Sequence, residues 1–214
     1  MTKRSLIFVA LLLPIFGLAQ VDTKAKAILD KVSADMNALK SMTVTFSTTI
    51  TTADEGEPVK QSGTAHLKGD KYKIVLPDQD IYCDGTTRTT HLKEEHEAYQ
   101  SLVSESTGDE MEPNEMLTIW ETGHKYKYDE ETTHNDRPAH RIFLYPNDPA
   151  KKKYHSIIVK IDIATNEVVT VFIKGKDGTN VMYTLSKLTR NPELLDSIFT
   201  FDCAKHPEVE CLEE

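Results

Sequence analysis

The stretch from Gly63 to Gly85, GTAHLKGDKYKIVLPDQDIYCDG, carries apolar side chains at every second position and stops at an Asp-Gly turn. A period of two puts those side chains on one face of an extended strand, whereas a helix would scatter them around its axis. The chain must therefore build a half-buried sheet here, and the question is what the apolar face covers. MTVTFSTTI shows the same alternation, with Met42, Val44, Phe46 and Ile50 taking turns with Thr43, Thr45, Ser47 and Thr49. Threonine and serine form strands readily and tolerate water.

Turn signals separate these strands. ADEGEP interrupts one hairpin, Asp84-Gly85 closes the next, and Asp177-Gly178 joins VVTVFIKG to NVMYTLSKL. IIVKIDIATNEVVTVFIKG reads as two paired strands around Thr165-Asn166. With so many strands adjacent in sequence, a meandering antiparallel sheet is the economical topology.

Two segments depart from the period of two. VDTKAKAILDKVSADMNALKSM places Ile28, Val32 and Leu39 at near-helical spacing, flanked by Leu29 and Met36, with Asp22 or Thr23 available as N-cap. In EPNEMLTIWETG, Pro113 suits a first helical turn, Met116 and Trp120 lie four apart with Leu117 beside them, and Gly123 supplies a stop. A helix this short is marginal unless it lies against something. Packing permanently on its own sheet is the ordinary fate of such an apolar stripe.

The first residues, MTKRSLIFVALLLPIFGLAQ, have Lys3 and Arg4 ahead of an apolar run from Leu6 to Leu18, then small Gly17 and Ala19 at the positions a signal peptidase requires. The run is shorter than the roughly 20 residues a spanning helix needs, and Pro14 breaks it. Residues 1–19 are expected to be a cleaved signal peptide that exports residues 20–214 as a single domain. Loss of Lys3 and Arg4 moves the formal charge from −9 to −11. A chain this acidic repels phosphate backbones, so nucleic acid is not an expected partner.

Cys203 and Cys211 lie close together in the tail FDCAKHPEVECLEE, and a bridge between them is the preferred pairing, although spacing alone does not fix connectivity. Cys83, at a strand end, reads as a small buried hydrophobe. HLKEEHEAY misses both zinc-protease spacings, because His91 and His96 are five apart, and it reads better as a charged hairpin edge. The Lys151–Lys153 run reads as a solvated turn. No phosphate loop and no nucleophile elbow occurs in the sequence. Neither cofactor, metal nor enzymatic activity is expected.

Taken in order, the signal segment, the amphipathic helix running into SMTVTF, GTAHLKGDKYKIVL, IYCDGTT, the short apolar helix and the ending PELLDSIFTFD resemble the outer-membrane lipoprotein carrier family, the LolA-like periplasmic chaperones. The resemblance spans about Ala27 to Asp202. It implies a mainly β fold, an incomplete and strongly curved antiparallel β-barrel with an N-terminal helix and a short helical lid over the concave face. It also implies a monomeric, non-catalytic carrier of acylated lipoproteins, which takes cargo from an inner-membrane releasing transporter and gives it to an outer-membrane acceptor. Burying the acyl chains is the physical task, since a chain of about sixteen carbons costs on the order of 12 kcal/mol to expose to water.

On that resemblance Met42, Val44, Phe46, Leu67, Tyr72, Ile74, Leu76 and Ile81 are expected to line the lipid cavity, with Met116, Leu117, Ile119 and Trp120 as the lid. Two departures stand out. Many members place a lid-locking arginine where this chain has Gly69, and apolar residues after the Asp-Gly turn where it has Arg88, Thr89 and Thr90. A carrier or sensor of another lipid or envelope signal on the same barrel is the alternative.

Overall fold

The computed structural model describes residues 22–54, 56–105 and 113–213, without the side chains of Glu105, Asn114 and Glu115. The expected signal segment falls outside them. Helix α1 runs Thr23–Asn37, and Asp22 caps it by accepting the Ala25 N–H at 2.9 Å. Its buried stripe is Ala25, Leu29, Val32 and Met36. That stripe is turned by about one residue from the expected face, and Ile28 and Leu39 become its partly buried margins. Ala25, Leu29, Val32 and Met36 follow one another at steps of four, three and four, which keeps them on one face of the helix.

Six strands follow in consecutive hairpins: β1 Met42–Thr51, β2 Val59–Lys68, β3 Lys71–Val75, β4 Gln79–Cys83, β5 Thr87–Leu92 and β6 Glu97–Leu102. A short helix, α2 Pro113–Met116, leads to a second meander of β7 His124–His134, β8 Arg137–Pro146, β9 Tyr154–Asp162, β10 Val168–Gly175 and β11 Asn180–Arg190. Strand β11 returns beside β1, so both meanders form one sheet, and β12 Glu210–Glu213 adds to β6 in parallel. The order is β12-β6-β5-β4-β3-β2-β1-β11-β10-β9-β8-β7, which among the described residues makes twelve strands with β12 and β7 at the two ends. Register shifts at Thr45/Phe46 in β1 and Tyr128/Glu130 in β7 mark bulges, which bend strands and help the sheet curl. The fold is an incomplete, curved antiparallel β-barrel.

The turns follow the residue chemistry read from the sequence. Asp84 Oδ1 accepts both the Thr86 and Thr87 N–H groups at 2.9 Å. Gly69 sits at φ +57° in the two-residue turn between β2 and β3. A branched side chain there would be strained, so the position expected of a lid-locking arginine is a turn position in this chain.

Helix α1 packs in one cluster with Ile142, Leu144, Ile157, Val159, Ile161 and Val171, each fully buried on β8, β9 or β10. It is anchored at both ends. Asp22 Oδ2 also accepts the Tyr128 N–H of β7 at 2.7 Å, and Asn166 in the β9–β10 turn donates to Asp35 at 3.0 Å. The helix therefore fills the β7–β10 part of the concavity and leaves the β1–β5 wall to other groups.

The C-terminal segment takes the opposite, convex face. Phe201 packs on Tyr82 at 5.5 Å, His91 at 4.9 Å and His206 at 4.7 Å between ring centroids. Lys68 and Lys71 both hold Asp196, at 2.6 and 2.8 Å. A disulfide joins Cys203 to Cys211 and closes the loop from which β12 emerges. Because β12 covers β6, the HLKEEHEAY hairpin is not a sheet edge. Its His91 belongs to the aromatic stack, and no group of potential metal ligands occurs among the described residues.

Candidate functional site

Strand alternation delivers Val44 and Phe46 from β1, Leu67 from β2, Tyr72 and Ile74 from β3 and Ile81 from β4 to one face. Cross-strand registers confirm the shared face, with Val44 opposite Ala65, Leu67 opposite Tyr72 and Ile74 opposite Ile81. These six residues line a cavity of about 400 Å³, within the few-hundred-Å³ range typical of small-molecule sites. Ala65, Ile173, Tyr183, Leu185 and Arg88 complete its wall, and Pro113, Met116 and Leu117 border it from the α2 segment.

Two residues expected in the wall lie outside it. Met42 packs at the margin of the apolar cluster opposite Leu67. Leu76 follows the end of β3, where its N–H donates to Gln79 O at 2.9 Å in the turn to β4. There its side chain crowds Gly63, and a Cβ on that glycine would meet Leu76 Cδ2 at 2.7 Å, Val75 O at 2.7 Å and Phe46 Cζ at 2.9 Å. Gly63 is thus a packing glycine that lets the Phe46 ring and Leu76 meet over the backbone.

The expected lid divides in two. Met116 and Leu117 border the cavity, whereas Ile119 packs on the cluster and Trp120 is 4% exposed with its Nε1 donating to Ser33 Oγ of α1 at 2.9 Å. The helical hydrogen bonding stops at Met116, and past Leu117 the turn carries Trp120 to α1 rather than to the cavity. Leu117 also borders a second, smaller cavity of about 160 Å³, which shares Val44 and Leu185 with the first and is rimmed by His134, Arg137 and Asp162. In that rim Arg137 pairs with Asp162 at 3.0 Å.

The main cavity is chemically plain. Among the described residues lining it the polar groups are two phenols, Tyr72 and Tyr183, and the Arg88 guanidinium; no carboxylate, imidazole or thiol borders it. Burial pushes the Tyr183 phenol up from its ordinary value and keeps it neutral. Such a lining dissolves hydrocarbon. Tyr183, Leu185 and Ile173 carry no local signal of this role, because β11 reaches β1 only through pairing across some 140 residues, as in Phe46 opposite Leu185. Arg88 did carry one, as a charged residue soon after the Asp-Gly turn, where the resemblance noted in the sequence implies apolar ones.

No protein-family model matches the chain, and no curated protein matches it. Among solved structures, an uncharacterized conserved protein from Thermus thermophilus superimposes with a TM-score of 0.58 at 8% identity, over 89% of this chain and 99% of that one. Mycobacterium tuberculosis lipoprotein LppX gives 0.50 at 16% identity, over 79% of this chain and 98% of its own. A LolA superfamily protein from Nitrosomonas europaea gives 0.45 at 12% identity, over 84% and 98%. The first two likenesses show the fold: this chain has the incomplete curved barrel adopted by the Thermus thermophilus protein and by LppX.

Proposed function

We propose that residues 20–214, following a cleaved signal peptide, form one periplasmic carrier domain that shelters the acyl chains of lipoproteins without catalysing a reaction. The observation that carries this reading is the apolar cavity of about 400 Å³ on the β1–β5 wall, bordered by the Pro113–Leu117 segment. An apolar concavity facing water is a liability for a protein with no ligand to place in it. It becomes useful where hydrocarbon must cross an aqueous gap, because each methylene left in water costs roughly 0.8 kcal/mol. Met116 adapts to chains of different shape, and Leu117 lies where it can admit or block passage toward the smaller cavity. In this reading an inner-membrane transporter loads the carrier and an outer-membrane acceptor unloads it.

A second reading, a carrier of a free lipid on the same barrel, is favoured by Arg88, since the acylated terminus of a lipoprotein offers that cation no anionic head. Incubating the mature chain with vesicles that carry an acylated lipoprotein separates the two. A carrier of lipoproteins releases the cargo into the soluble fraction as a complex, and Ile74→Asp, which puts a charge in the wall, abolishes release. Absence of any release, with free lipid still bound, would leave the second reading standing and remove the first.

A further inference from the structure

Arg88 is the one charged side chain among the described residues lining the cavity. Its position marks a change in the character of the concave face. From β11 through β4 the face presents Leu185, Phe46, Val44, Leu67 and Ile74. On β5 and β6 polar groups join it: Arg88 stands opposite Cys83 on one side and Ser101 on the other, and Thr90 stands opposite Ile81 and Tyr99. Directly opposed residues in a sheet share a face. The wall is therefore apolar where β11 and β1 to β4 line the cavity and mixed on β5 and β6, where Leu92 shares the face of Arg88 and Thr90, with a permanent cation at the boundary.

We propose that the cavity selects amphiphiles with an anionic head, a carboxylate or a phosphate, and that Arg88 binds the head while the alkyl chain extends over the β1–β4 wall. This rests on the second of the two readings above, a free lipid held at the same acyl site, and names the class of that lipid. A guanidinium stays charged at any physiological pH and offers five donors in a planar fork suited to carboxylate and phosphate. Arg88 already interacts within the protein, and a fork with five donors accommodates a second acceptor. Beside an apolar wall, with water partly excluded, a charge-assisted hydrogen bond is stronger than in solvent. A neutral head of the same size at this boundary forgoes that bond.

The test compares three probes of one chain length on the delipidated protein: palmitate, 1-palmitoylglycerol and 1-palmitoyl lysophosphatidate, each titrated below its micellar concentration. The wild-type protein is expected to prefer an anionic probe over the neutral one by roughly tenfold to a hundredfold, the worth of one charge-assisted hydrogen bond. Whether palmitate or the lysophosphatidate leads identifies the carboxylate or the phosphate as the head. In Arg88→Gln that ratio collapses toward one, and Arg88→Lys restores part of it, with thermal unfolding confirming that both variants fold. The wild-type ratio stands on its own should a variant fail to fold. Equal affinity for all three probes overturns the assignment of Arg88 and leaves the acyl site intact, whereas binding of none of them overturns the acyl site itself.

Discussion

Trp120→Phe distinguishes a fixed anchor from a moving lid. The substitution keeps a buried ring but removes the Nε1 donor to Ser33 and part of the indole area, at a site only 4% exposed. The lost hydrogen bond costs about 1 kcal/mol and the lost apolar contact about another. At roughly 2–4 °C per kcal/mol for a chain of this size, Tm falls by about 4–8 °C. Trp120→Ala, with a cavity left behind, costs about 3–5 kcal/mol. Circular dichroism reads the stability, and a fluorescent fatty-acid analogue reads binding. Trp120→Phe should unfold earlier yet bind the analogue as the wild type does, because Trp120 touches α1 and not the cavity. Met116→Ala should do the reverse, weakening binding with little change in Tm. Since Trp120 is the only tryptophan, its emission should already be that of a buried indole and stay unshifted when ligand enters. A ligand-dependent shift, or lost binding without lost stability in Trp120→Phe, would refute this placement and return Trp120 to the lid.

Replacing Cys203 and Cys211 together with serine removes a closure over a sequence separation of 8, worth about 2.5 kcal/mol by chain entropy. Amides of β6 should then exchange faster with deuterium as β12 detaches, and unchanged exchange would show that β12 holds on its own. Asp22→Ala should cost about 0.5–2 kcal/mol in a denaturant titration at neutral pH, through loss of the α1 cap. The Ala25 N–H bond leads the groups that hold the Asp22 carboxyl below its ordinary 3.8, so its stabilisation is present above that value and is lost as pH falls through the lowered one. The gap between wild type and Asp22→Ala should therefore narrow as pH falls below 3.8, and a gap that stayed constant or widened through the acid range would contradict the assignment. Asp196, which Lys68 and Lys71 hold at about 2, should show in an NMR titration a midpoint well below that of an ordinary aspartate. Gly63→Ala should lower stability by about 1–3 kcal/mol in thermal unfolding, since its Cβ would meet backbone as well as side chains.

The sheet was legible because strand alternation and Asp-Gly turns are local signals, and the β1–β5 wall follows directly from them. What escaped was set by long-range pairing. Nothing near Tyr183 or Leu185 announces that β11 lies against β1, or that a bulge at Thr45/Phe46 brings Leu185 opposite Phe46. The α1 stripe includes small, fully buried Ala25, which a count of large apolar residues passes over. Leu76 and Trp120 have the residue type expected of a cavity wall or lid, but a turn after β3 removes one and the early end of α2 turns the other toward Ser33. Arg88 was visible as an oddity in the sequence, and its place at the edge of an apolar wall gives the oddity a chemical meaning.

Native mass spectrometry of the protein exported and purified without detergent asks what fills the cavity on the β1–β5 wall. A carrier of acyl chains should appear with an adduct whose mass corresponds to a long-chain amphiphile, and Ile74→Asp should appear without it. Repeated preparations that show only the bare polypeptide, and that take up no palmitate when it is supplied, would contradict the reading of this cavity as an acyl site.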